Sequence, residues 1–329
     1  MSSTKNYSNG KYNLTNGENL LVTGGAGYIG SSLVPILLER GCLVTVFDKF
    51  EYGVTSLLSV ISDSNLKIIR GDICNRSQLK AAITDDITGI IHLAAIVGYP
   101  ACERDKELAV KINEYGTQNI VDLMKPHQKL VFASTGSCYG AIEGICTEQT
   151  PICPLTLYGR TKANGEKIVL QRDAVVLRLA TLFGVSHRMR LDLLINDLTF
   201  RALTTRYIDL YQGSFRRTFL HVRDAAMAFY LAIQKFDIMK NSIFNVGDNK
   251  MNISKGNAAR RIIDSVSNDC ILDLNGQGED LDQRDYEVDY TKIRELGFRS
   301  TISLEEGIEE LIKTLPQMSD WEIKISKNV

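Results

Sequence analysis

Asn19-Leu20-Leu21-Val22-Thr23-Gly24-Gly25-Ala26-Gly27-Tyr28-Ile29-Gly30 decides how the rest of the chain is read. Leu20 to Val22 is a short apolar run, the pattern of a buried parallel strand. Gly24, Gly27 and Gly30 follow at intervals of three, and Ile29, Leu33, Ile36 and Leu37 then recur at helical spacing as far as Gly41. The order is strand, glycine turn, helix. A tight turn needs a residue without Cβ, a pyrophosphate needs bare backbone to approach, and a helix start must pack close to its strand. The free N–H groups of the helix start then face the phosphates. Pro35 falls inside this helix and predicts a kink in it.

A second apolar run, Leu43 to Phe47, ends on Asp48. That is about 20 residues past the glycine turn, where an acid accepts hydrogen bonds from the adenosine ribose hydroxyls. A carboxylate there repels a 2′-phosphate, so the expected cofactor is NAD rather than NADP. Lys49 follows directly and offsets part of that repulsion.

With 329 residues the chain can bury a large core, as one large or two closely packed domains. A net charge of −1 gives no general attraction to nucleic acid or anionic membrane. The apolar runs are too short to span a bilayer. Met1 to Glu18 is rich in Ser, Asn, Thr and Gly without an apolar signal core, and reads as a disordered tail with no export. Seven scattered cysteines form no C-x-x-C pair and read as free thiols of a cytoplasmic protein. No His and Cys spacing typical of a zinc site is seen, so no metal is expected.

Leu66 to Ile69 reads as a third strand ending at Gly71-Asp72-Ile73, and Gln78 to Ile83 as a short helix. Gly89 to Ala95 is a fourth strand whose small end residues leave room for a flat ligand. Within it, His92 reads as a core histidine with a satisfied ring. Asp105 to Met124 is a long helix, Lys129 to Ala133 a fifth strand, Tyr158 to Gln171 a helix and Val175 to Leu179 a sixth strand. This alternation predicts an α/β fold with a doubly wound parallel sheet. After Gly184 come a helix over Met189 to Leu203, strands at Tyr207 to Tyr211 and Thr218 to Val222, a helix from Asp224 to Gln234 and a short strand at Ile243 to Val246. Further helices are expected at Asn257 to Ser265, Thr291 to Leu296 and Leu304 to Thr314. The domain expectation is a tail over 1–18, a Rossmann domain over 19–184 and 219–247, and a smaller discontinuous substrate lobe over 185–218 and 248–329. The crevice between them is the default ligand site.

Tyr158 and Lys162 stand four apart and share one helical face. A phenol near pKa 10 is a poor base at neutral pH, and an adjacent ammonium lowers that value. Tyr158 then removes a hydroxyl proton while hydride leaves the same carbon, and Lys162 also holds the nicotinamide ribose. The strand Val131 to Ser134 runs into Thr135-Gly136-Ser137-Cys138-Tyr139-Gly140.

Here the sequence resembles the extended short-chain dehydrogenase/reductase family, the NAD-dependent nucleotide-sugar epimerases and dehydratases. The likeness covers nearly the whole chain after the tail. It rests on T-G-G-A-G-Y-I-G, the acid at Asp48, G-D-I at Gly71, H-L-A-A at His92, N-x-x-G-T from Asn113, S-T-x-x-x-Y-G, Y-x-x-x-K and R-x-F-L-H-V from Arg217. The resemblance implies a catalytic hydroxyl at Thr135 beside Tyr158 and Lys162. It implies cofactor contacts from Gly24, Gly27, Tyr28, Ile29, Gly30, Asp48, Asp72, Ile73, Leu93, Ala94 and Ala95. It further implies a nucleotide-sugar substrate whose diphosphate meets Asn196, Arg217 and Arg284, and a homodimer through the helices 105–124 and 158–171. Arg190 and Arg216 receive no role.

Sugar 4,6-dehydratases of this family carry an Asp-Glu pair directly after the catalytic hydroxyl, where this chain has Gly136 and Ser137. Neither residue can make the proton transfers of elimination. Oxidation at C4 remains, with or without epimerisation. Val97 to Cys102, Arg188 to Leu194 and Asp282 to Tyr286 look like the GDP-heptose 4-dehydrogenase branch, which makes 4-keto-heptoses for surface polysaccharides. Cys102 reads as a wall residue of the crevice and not as a reactive thiol. The competing class is a dinucleotide-sensing regulator on the same fold. Thr135, Tyr158 and Lys162 speak against it, because a sensor has no need of a proton-abstracting pair.

Overall fold

The computed structural model describes residues 17–266, 269–274, 276 and 285–328. Most of the expected tail lies outside that range, but Glu18 belongs to the fold: Lys129 Nζ donates to its carboxylate at 2.5 Å.

The first half alternates strand and helix. In order come β1 (Asn19–Thr23), α1 (Gly30–Glu39), β2 (Leu43–Asp48), β3 (Leu66–Arg70), α2 (Arg76–Ala82), β4 (Gly89–His92), α3 (Tyr99–Arg104) and α4 (Lys106–Val110). A π-helical turn, Lys111–Gly116, joins α4 to α5 (Thr117–Leu123). Then follow β5 (Lys129–Thr135), the two-residue β6 (Ile145–Cys146), α6 (Leu157–Val169), β7 (Ala174–Leu179) and β8 (Thr181–Phe183). The second half holds α7 (Leu194–Thr204), β9 (Tyr207–Asp209), β10 (Arg216–His221), α8 (Val222–Gln234), α9 (Phe236–Met239), β11 (Ser242–Val246), β12 (Asn252–Ser254) and α10 (Lys255–Val266). It ends with β13 (Ile271–Asp273), β14 (Glu287–Val288), α11 (Thr291–Glu295), α12 (Leu304–Thr314) and α13 (Asp320–Ile325).

Seven strands form one parallel sheet in the order β3-β2-β1-β4-β5-β7-β11. The order reverses beside β1, which places a ligand crevice at the carboxyl ends of β1 and β4. Alternation along each strand feeds the two faces. Leu20 and Val22 pack with Leu33 and Leu37 of α1 and Phe229 of α8. Leu21 faces the opposite layer, with Leu79, Ile120 and Val169. A separate apolar cluster joins Ile195 and Leu198 of α7 to Ile262 of α10 and Ile308 of α12.

The doubly wound parallel sheet is as expected, with differences in detail. The short strand at 243–246 joins the six expected strands as the seventh of the main sheet, beside β7. Helix α1 is one helix from Gly30 to Glu39 with Pro35 inside it, as read from the sequence. The helix expected from Met189 begins only at Leu194. The preceding residues are held by other bonds: Leu191 N–H donates to Ser326 O at 2.8 Å, and Arg190 O accepts from Asn196 Nδ2 at 2.8 Å.

Helix α6 is tied to the sheet by one buried ion pair. Arg178 of β7 grips Glu166 through Nε at 2.9 Å and Nη2 at 2.7 Å, and Ser134 Oγ of β5 donates to the same carboxylate at 2.5 Å. Both charged side chains are almost wholly out of water. Removing one partner of such a pair leaves the other charge uncompensated. Glu166→Ala should therefore lower unfolding stability by about 3–5 kcal/mol. A denaturant titration checks this, and a loss below about 1 kcal/mol would show that water replaces the carboxylate freely.

Candidate active site

The glycine turn is built for close contact. A Cβ on Gly24, whose φ is +72°, would lie 2.6 Å from Ala94 N. One on Gly30 would lie 2.5 Å from the Cα of Gly25. The backbone of β1's end is thus pressed on the loop after β4, and α1 starts directly on the turn. Asp48 ends β2 beside it. One carboxylate oxygen accepts from Ala26 N at 3.0 Å and the other from Phe50 N at 2.7 Å. Burial raises its pKa, against those two bonds.

A cavity of about 860 Å³ runs from this turn across the ends of β4, β5 and β7 to α7 and β10. Gly24, Gly27, Tyr28, Ile29, Gly30, Asp48, Asp72, Ile73 and Leu93 to Ala95 all line it. So do Thr135, Tyr158, Lys162 and Arg217. The bare turn and a carboxylate with lone pairs to spare fit a dinucleotide: the cradle is one that any Cβ would fill. The catalytic and cofactor residues named from sequence therefore share one chamber.

Of the two other expected substrate contacts, only Asn196 falls within the described residues. Asn196 is fully buried in the wall. Its amide accepts from Gly184 N at 2.9 Å and donates to Arg190 O. Arg284 lies outside the described residues. Arg216 carries its side chain to Glu287. Cys102 is not a wall residue of the crevice. It sits behind the lining in α3, packed with Ala109 and Leu157, with Sγ 3.5 Å from Ile96 O. Burial pushes its thiol up to about 12, so it is inert at neutral pH.

Helix α6 presents Tyr158 and Lys162 to the chamber. Thr156 caps it, accepting from Gly159 N at 3.2 Å. The π-helical turn fixes its first turn from the side. Asn113 Oδ1 accepts from Ile96 N at 2.8 Å, while Nδ2 donates to Ile96 O at 2.9 Å and to Thr161 Oγ1 at 3.0 Å. One amide thus binds the loop after β4 to the helix that carries Tyr158. His92 extends the same support. Its Nε2 is 3.0 Å from Thr117 Oγ1, which donates to Asn113 O, so that ring nitrogen is the donor. Nδ1 then accepts from Thr23 Oγ1 at 2.7 Å. The ring is satisfied and neutral, with burial holding its pKa down to about 3.

The expected lowering of the Tyr158 phenol by Lys162 is not what the structure shows. Burial pushes Tyr158 up to about 12, and the influences opposing it are the charge of Arg190 and the Thr135 hydroxyl. Lys162 is itself desolvated, its ammonium 4.1 Å from the Phe132 ring centroid, and burial lowers it to about 8. Burial is the largest influence on both groups.

Sequence reading missed several cavity-lining groups: Tyr52, Arg188, Arg201, Lys255 and Asn328. They reach the chamber from separate stretches of the chain, Arg201 from α7 and Lys255 from the start of α10. Arg190 lines it too, gripped by Asp192 at 3.2 and 2.5 Å. Among the described residues no three His, Cys, Asp or Glu side chains gather as a metal site, and no helix is long and apolar enough to cross a membrane.

Residues 20–247 match the model of the NAD dependent epimerase/dehydratase family. The chain is 28% identical to a dTDP-glucose 4,6-dehydratase of Streptomyces niveus, over 92% of this chain and 94% of that protein. Among solved structures, it is similar to the dTDP-glucose 4,6-dehydratase of Bacillus anthracis in complex with NAD, with TM-score 0.81 and 26% identity over 94% of this chain and 99% of that one. It is equally similar to the UDP-glucuronic acid 4-epimerase of Bacillus cereus in complex with UDP-glucuronic acid and NAD, with TM-score 0.81 and 26% identity over 92% and 100%.

Asp48→Ala should weaken NAD binding and narrow the gap to NADP, as read by titration calorimetry with both dinucleotides. An unchanged preference would show that another group reads the ribose.

Proposed function

Since the chain belongs to the NAD dependent epimerase/dehydratase family, and is an NAD-dependent enzyme of the nucleotide-sugar kind, we propose that it oxidises C4 of a nucleotide-linked sugar without removing water. NAD, when bound, accepts the hydride. The chain supplies the proton chemistry. Tyr158 takes the proton of the C4 hydroxyl, and Thr135 hydrogen-bonds the same sugar oxygen. Lys162 holds the ribose of the cofactor. With its phenol raised to about 12, Tyr158 is protonated in the resting protein. It takes the C4 proton only after losing its own to solvent, an ionisation that the charge of Arg190 favours. Arg217 and Lys255, at the other end of the cavity, supply cations for the substrate's diphosphate.

The observation that carries this reading is the absence of a carboxylate after Thr135. Gly136 gives its carbonyl to Tyr286 Oη, and Ser137 Oγ is 3.2 Å from Thr135 Oγ1. Asp192, the carboxylate paired with Arg190 in the same cavity, is spent on that guanidinium. Elimination needs an acid and a base at the sugar, and these residues offer neither. Dehydratases among the similar proteins therefore do not set the reaction.

Within this reading, GDP-heptose is the substrate we favour, on the resemblance of Val97 to Cys102 and Arg188 to Leu194. Epimerisation is the alternative, supported by the likeness to the UDP-glucuronic acid 4-epimerase. The reading places a homodimer in the cytoplasm, paired through α4, α5 and α6, where Tyr115 is 66% exposed beside Val110 and Leu157. Free cysteines agree with that compartment.

Tyr158→Phe keeps the ring and removes only the acid–base oxygen. It should leave NAD binding intact and lower turnover by about 10²–10⁴-fold. Turnover like the wild type would sink the assignment.

Incubation with a panel of GDP-, UDP-, CDP- and dTDP-sugars, followed by mass spectrometry, identifies the product. Loss of two hydrogens marks a released ketone, and unchanged mass with an altered NMR spectrum marks epimerisation. Loss of a water molecule would refute the argument from Gly136 and Ser137.

A further inference from the structure

Arg188 is a buried cation whose side chain meets the neutral Tyr52 and Asn328. It is 6% exposed. Its guanidinium carbon lies 3.7 Å from the centroid of the Tyr52 ring, and Nη2 donates to Asn328 Oδ1 at 2.5 Å. Nε is buried and has no hydrogen-bond partner. Among the described residues the charges that act on it are Asp192, which is already gripped by Arg190, and Arg190 itself, which repels it. A guanidinium held out of water whose nearest carboxylate is already paired with another arginine is costly, and an unmade donor adds to the cost. Such a group calls for an explanation, and a missing anion supplies one.

Its place tells which anion. Arg188 N–H donates to Ser31 Oγ at 3.2 Å, in the first turn of α1. Ser31 Oγ in turn lies 2.7 Å from Ser186 Oγ, which donates to Tyr28 O at 2.7 Å. The arginine is therefore anchored on the helix start that the glycine turn opens. It lines the same cavity as Gly27 and Gly30. A helix N-terminus after a glycine turn receives a diphosphate. The C-terminal stretch closes over it. Arg104 Nη2 donates to Asn328 O at 3.3 Å, and Leu191 N–H to Ser326 O.

We propose that Arg188 is a ligand of the dinucleotide's diphosphate, with Tyr52 and Asn328 holding its guanidinium as a clasp over the cofactor. The planar fork suits two phosphate oxygens at once. The clasp depends on NAD binding and not on which sugar reaction follows, so it stands or falls apart from the proposed chemistry.

The test is a set of calorimetric titrations on protein stripped of bound nucleotide, with NAD and separately with GDP, UDP and dTDP, at low and high salt. Arg188→Met should weaken NAD binding by about 10–100-fold, the loss of one charge-assisted contact, and flatten its salt dependence. Arg188→Lys, which keeps a charge without the fork, should recover part of the affinity. Nucleoside diphosphates should bind both variants as they bind the wild type. NAD affinity within twofold of wild type in Arg188→Met overturns the proposal. So does a loss confined to nucleoside diphosphates, which would move the anion to the substrate side. Should Arg188→Met not fold, Asn328→Ala removes the clasp's amide from a half-buried chain end. NAD release followed by stopped flow should then quicken several-fold, and an unchanged rate overturns the clasp.

Discussion

The approach of Gly24 to the backbone of Ala94 is the constraint on which the rest depends. With a Cβ at Gly24 the two segments would interpenetrate at 2.6 Å. A second such approach, at Gly30, lets α1 begin where β1 has barely ended. Together they leave a floor of bare peptide at the point where the strand order reverses. No side-chain chemistry is needed to make that floor, only the absence of side chains. Thr135, Tyr158, Lys162 and Arg217 line the cavity that starts from this floor.

The rim is held by polar ties rather than by apolar packing alone. Asn113 spends its whole amide on Ile96 and Thr161. His92 joins the ends of β1 and β4 to the residue one turn beyond. Glu166, Arg178 and Ser134 fix the far side of α6 to two strands. The helix carrying Tyr158 is thus braced at its first turn and again two turns later. Tyr158 sits on that braced helix. The π-helical turn has a share in this, since it is the segment from which Asn113 reaches both partners.

Much of this was legible in the sequence, for a physical reason. The glycine turn, the end of β2 at Asp48 and the pair on α6 are local patterns, each complete within a few residues. His92 was readable as a core histidine because it stands inside an apolar run. The misreadings arose where distant segments decide. Helix α7 begins late because Leu191 is bonded to Ser326, more than a hundred residues away. Cys102 lies behind the wall because α3, a short helix without a clear periodic signal, turns it inward. The Lys162 effect on Tyr158 failed because spacing reports proximity and not desolvation. Arg188 was legible only as the start of a resembling stretch, and its place was not, since its partners Tyr52 and Asn328 lie far off in the sequence.

Trp321 on α13 is 61% exposed, and it is the only tryptophan in the chain. The helix that bears it leads through Ser326 to Asn328, which lines the cavity. Tryptophan emission from this protein therefore originates at one place, a turn or two from the edge of the ligand chamber. An indole so open to water emits as a hydrated fluorophore until something covers the helix or draws it inward. The chain thus carries its own optical probe of how its C-terminal segment sits on the chamber, with no label attached.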